Sequence, residues 1–118
     1  MKSKDFETIA TMCEPTLAHM CGRYMPYHNA SDYSVNSDKY NAFVDAIYYI
    51  TENATLEPTL KSFVLCLRYK LERYKGFKDI YYHEMQTFYE NAHDYEYFNT
   101  YTFILSRVLN ALKYLDMN

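Results

Sequence analysis

The chain has 118 residues, a formal net charge of −3, two glycines, three prolines, three cysteines, 15 tyrosines and no tryptophan. Such a length suits one domain that buries a core without disulfide or metal support. The scarcity of turn residues argues against an all-β fold, no run reaches the ~18 apolar residues of a membrane helix, and two glycines cannot build a Walker or dinucleotide phosphate loop.

In chain order, Phe6, Ile9, Cys13, Leu17, Met20 and Tyr24 keep helical phase. Ser3 is a reasonable N-cap. Pro15 lies inside that run and lacks the donor for an intrahelical bond, so a kink or a split into two helices is expected there. Gly22 offers a left-handed stop. Arg23 to Asn36 shows no sustained period and reads as a loop.

The next helix is expected from Ser37 or Asp38 to Asn53-Ala54, with Tyr40, Phe43, Val44, Ile47 and Ile50 or Thr51 inward. Thr55 caps its successor and Pro58 falls in that successor's first turn. Leu60, Phe63, Val64, Leu67, Leu71 and Tyr74 form a clean stripe ended by Gly76. Asp79 caps a further segment with Ile80, Tyr81, Met85, Phe88 and Ala92, and His93-Asp94 separates it from the last helix.

That helix, Tyr97 to Leu115, carries the strongest pattern: Phe98, Tyr101, Leu105, Val108, Leu112 and Leu115 stack on one side. At roughly 1.5–3 kcal/mol per buried side chain it is the largest contributor to a core. A second stripe, Phe103, Arg107, Asn110 and Tyr114, faces the other way. Either the helix is covered on two sides, or this stripe is a contact surface for a partner or a second copy of the chain. The expectation is an all-α, single-domain bundle of five helices (six if Pro15 splits the first), mostly antiparallel and organised around the C-terminal helix.

Chemical motifs are sparse. There is no Cys-x-x-Cys or His-Glu-x-x-His, and Glu90-x-x-His93 occurs once where a di-iron bundle wants it twice. No triad, metal site or cofactor is indicated, and the chain reads as a non-enzyme. Asp5 and Glu7 interrupt the N-terminal apolar segment, so it is not a secretory signal. Cys13, Cys21 and Cys66 read as reduced thiols of a cytoplasmic protein. The bias toward Tyr, Phe, Met, Ile, Asn and Lys accompanies AT-rich genomes, such as those of many phages, poxviruses and low-GC bacteria; the expected place is the cytoplasm, the host's if the chain is viral.

Two features stand out. Lys61, Arg68, Lys70, Arg73, Lys75 and Lys78 surround a single acid, Glu72, whereas Asp79 to Glu96 holds five acids and no Lys or Arg. The tyrosines crowd the same acidic stretch. Mixed acid and phenol suits a protein-binding patch, with Tyr82, Glu84, Tyr89, Glu90, Asp94, Tyr95 and Glu96 as its expected residues. The leading expectation is a module that inhibits or regulates a macromolecular partner, such as a phage or mobile-element inhibitor of a restriction or CRISPR effector. The alternative is a nucleic-acid-binding regulator using Arg68, Arg73, Lys75 and Lys78. Neutralisation of the two segments against each other is the plain structural reading.

Overall fold

Pro15 leaves the first helix unbroken. The computed structural model describes residues 3–85 and 91–112, and α1 spans Ser3–Tyr24 with Pro15 inside it. Pro15 and Thr11 both lie on the exposed side, so the Thr11 carbonyl that loses its donor faces water, which keeps the cost low. Gly22 does not stop the helix either, because neither glycine adopts a positive φ. Ile9, Cys13, Met20 and Tyr24 are buried, and Leu17 is half-buried. Phe6, expected inward, is exposed. The Ser3 side chain, Phe88 and Leu115 lie outside the described residues.

Tyr24 packs on Phe43 at 5.6 Å, and a short 3-10 turn, Met25–Tyr27, follows directly. The expected loop thus shrinks to 28–34. The second helix, α2, spans Val35–Leu56 and is capped by Ser34, whose side chain accepts from the Asn36 N–H at 3.2 Å. Its buried face is partly the one expected: Phe43 and Ile50 are buried, and Tyr40 and Ile47 pack half-buried against the core. Val44 and Thr51 are exposed, while Ala42, Ala46 and Ala54 line up with Phe43 and Ile50. Three small side chains at helical spacing let a neighbouring helix come close, and that is the stripe a search for bulky residues passes over.

The third helix, α3, spans Leu60–Met85. Thr59 caps it, its hydroxyl oxygen accepting from the Ser62 N–H at 3.0 Å, and Pro58 therefore precedes the cap rather than sitting in the first turn. Gly76 and Asp79 interrupt nothing, and the two helices expected here are one. The fourth, α4, spans Ala92–Leu112. His93 and Asp94, expected as a separator, stand in its first turn.

The described residues therefore form four α-helices instead of five or six. α4 packs against each of the other three. Lys70 meets Tyr101 and Tyr82 meets Tyr95, so α3 and α4 run antiparallel. Asp38 pairs with His93, and Asp45 with Tyr97, so α2 runs alongside α4 in the same direction. Tyr101, Ile104, Leu105, Val108 and Leu112 are buried at the centre against Phe63, Leu67, Met20 and Ala46. The open strip of α4 is narrow. It holds Asn99, Phe103, Ser106, Arg107 and Asn110, which are half-buried or exposed.

Candidate interaction surfaces

The end of the bundle where α3 stops and α4 begins is built by aromatic packing. Phe98 is the hub: its ring lies 5.0 Å from Tyr74, 5.3 Å from Phe77, 5.6 Å from Tyr81 and 5.2 Å from Tyr97. Edge and face contacts of this kind add to burial. They carry α3 past Gly76 and fix the acidic turns beyond it. Tyr97 donates to the Asp45 carboxylate, and His93 Nδ1 donates to Asp38 Oδ2, tying α4 to α2. Burial, then the bond to Asp45, pushes the Tyr97 hydroxyl well above its ordinary value.

Above this base sit the acids. Asp79, Glu84 and Asp94 are exposed, and among the described residues none of them forms an ion pair. Tyr82 is 44% exposed, and its ring lies 5.7 Å from that of Tyr95. Asp79 stands close enough to act on the same pair: the Tyr95 hydroxyl is pushed up by burial and then by Glu96, Tyr82 and Asp79. Glu96 turns away from the patch to Lys39 of α2, at 3.9 Å. Tyr89 and Glu90 lie outside the described residues. Of the seven residues expected in the acidic patch, the structure brings Tyr82 and Tyr95 into contact, places Glu84 and Asp94 at the same end, and pairs Glu96, beside Tyr95, with Lys39.

Among the described residues the two charged segments form no ion pair with each other. The ion pairs of the described residues are Lys39–Glu96 and, within one turn, Glu72–Lys75. Nor do the bases share one face. Lys70 lies over the rings of Tyr49 and Tyr74 at 4.6 and 4.5 Å, Arg73 lies over Phe77 at 5.9 Å, and Arg68 is exposed two turns before Lys75. Lys75 and Lys78 line a cleft of about 210 Å³ with Asn99, Thr102, Phe103 and Ser106 of α4.

A second cleft, of about 250 Å³, meets the first at Asn99 and Phe103 and is lined by Arg23, Tyr24, Tyr27, Lys39, Glu96 and Thr100. The Arg23 and Arg107 guanidinium groups stand 4.9 and 5.2 Å from the Phe103 ring centre. Phe103 is therefore already covered within its own chain, which weakens it as the centre of a dimer surface. Arg107 and Asn110 are exposed, and Tyr114 lies outside the described residues. No protein-family model matches this chain, and no curated protein or solved structure matches it either.

Arg23 and Lys39 carried no local signal that would mark them as neighbours of Lys75 and Phe103. They stand on different helices, and only the tertiary packing of α1 and α2 on α4 brings them together. Among the described residues no group of His, Cys, Asp and Glu is placed to hold a metal ion, and no helix is long and apolar enough to cross a membrane.

Proposed function

We propose that this protein is a non-enzymatic helical interaction module that docks a macromolecular partner through the acidic, tyrosine-bearing end shared by α3 and α4. One observation carries the proposal. Asp79, Glu84 and Asp94 stay exposed and without an ion pair among the described residues, although six bases precede them in sequence. Exposed like charges raise the free energy of the isolated fold, and a cationic partner relieves that. Tyr82 and Tyr95 add a rigid contact area with polar tips beside the carboxylates.

The partner's docking surface is then basic, as on enzymes that handle nucleic acids, and the carboxylates stand in for phosphates. Inhibition of a restriction or CRISPR effector by a phage or mobile-element protein is the narrowest form of the proposal. A photoreactive amino acid at position 82 tests it, with position 6 on α1, at the far end of the bundle, as control. Cross-links to a partner at 82 and none at 6 support the acidic end. Equal labelling at both positions rejects it.

A second reading rests on the paired clefts, where Arg23, Lys75, Lys78 and Arg107 surround Phe103. Stacked guanidinium groups keep their N–H edges for phosphates, which suits a nucleic-acid backbone. Affinity for DNA or RNA that falls steeply with salt and is lost in Lys78→Glu supports this reading, and flat salt dependence removes it.

A further inference from the structure

Large apolar side chains stand in solvent along the outer face of α3. Leu65 and Ile80 are each 52% exposed, and Tyr69 is 71% exposed. With Gly76 they recur at steps of four, seven and four, so they form one stripe directly opposite the buried face of Phe63, Leu67 and Leu71.

Gly76 is the second anomaly. It sits mid-helix in a chain with only two glycines, at a negative φ, and a Cβ built on it meets nothing within 4 Å. Alanine would fit there and would favour the helix by about 1 kcal/mol. Nothing inside the chain calls for glycine.

The third observation is charge. α3 is basic from Lys61 to Lys78 and acidic from Asp79 to Glu84, apart from Glu72. Two such helices laid parallel would set like against like, whereas laid antiparallel they set each end against its opposite.

We propose that the outer face of α3 is a self-association surface that pairs two copies of the chain antiparallel about a two-fold axis passing between Glu72 and Arg73. That axis puts Leu65 across from Ile80 of the second copy, because the two lie equally far from it. Tyr69 falls across from Gly76, and the missing side chain leaves room for the ring. Arg68 and Asp79 flank the stripe on the same side, three turns apart. Their offset across the axis is two residues, about 3 Å of helix rise, which a long arginine side chain spans. The interface is isologous, so each contact occurs twice, and of the acidic end proposed above it takes up Asp79 alone, leaving Glu84 and Asp94 free for a partner.

Light scattering and sedimentation on the full chain, from micromolar to millimolar, test this. The wild type is expected to be a dimer, and Tyr69→Glu a monomer with unchanged helicity, since Tyr69 touches little of its own chain. Arg68→Asp and Asp79→Arg each place like charges across the axis and weaken association. Mixing those two variants restores both ion pairs and recovers the dimer, a result that a folding defect cannot produce. In the Tyr69→Glu background Gly76→Ala raises the unfolding temperature, while in the wild-type background it loosens the dimer. A wild type that stays monomeric throughout, or a dimer whose mass ignores Tyr69→Glu, overturns the proposal.

Discussion

Replacing Phe98 by leucine probes what holds the acidic end in place. The change keeps an apolar side chain of similar reach and removes the ring. Four aromatic partners at 5.0 to 5.6 Å lose their edge and face contacts at once. Such pairs are worth about 0.5–1.5 kcal/mol each beyond burial. They share one ring and do not add fully, so the expected loss is about 2 kcal/mol. For a domain of this size that lowers the thermal midpoint by roughly 8 °C. Phe98→Ala, which also opens a void, should cost about 3–5 kcal/mol. Denaturant unfolding followed by circular dichroism gives both values, and hydrogen exchange should quicken first in the part of α3 beyond Gly76. A leucine variant within about 0.5 kcal/mol of wild type would show that the rings merely fill space and that something else fixes the end of α3.

Leu105, fully buried on α4, should lose about 2–5 kcal/mol on conversion to alanine, whereas the exposed Leu56 should change by no more than about 0.5 kcal/mol; urea titration of the pair compares them. Stability should fall in alkali. Burial holds the Cys13 thiol up at about 11 from an ordinary 9.0 and raises the hydroxyl of Tyr101 above its ordinary 10.0. The folded chain thus keeps protons that the unfolded chain releases, so their contribution is full below those ordinary values. It declines by about 1.4 kcal/mol per pH unit for each group as pH rises through the window, which urea midpoints from about pH 8 to about pH 11 will show. A thiol reagent should modify exposed Cys21 first and buried Cys13 last. Cys66, which donates to Asn53 Oδ1 and contacts the Tyr49 hydroxyl, should fall between them; timed mass spectrometry reads the order.

The all-α class and the central place of the last helix were legible because Tyr101, Leu105, Val108 and Leu112 repeat with helical spacing and are all buried. The stripe Phe63, Val64, Leu67 and Leu71 was equally plain. Helix ends were not. Gly76 and Asp79 look like a stop and a cap, yet the ring cluster at Phe98 outweighs a local preference worth about 1 kcal/mol. Pro15 misled for a related reason: its cost depends on whether the orphaned carbonyl meets water, which the sequence does not encode. On α2, Phe43 and Ile50 were read as inward, but Ala42, Ala46 and Ala54 were missed because small side chains draw their value from the closeness of α4. Of the acidic surface, the sequence named the carboxylates and tyrosines from their clustering, whereas the contact of Tyr82 with Tyr95 follows from the antiparallel packing of α3 on α4. The diversion of Glu96 to Lys39 and the convergence of Arg23 on Phe103 depend on long-range packing and left no local trace.

The most direct measurement is the partner affinity of the double variant Glu84→Lys, Asp94→Lys beside that of wild type, with helicity, unfolding temperature and oligomeric state matched. If the carboxylates at the α3–α4 end grip the target, binding weakens by at least about tenfold and the loss shrinks as salt is raised. An affinity that survives the reversal intact would place the docking surface elsewhere on the molecule.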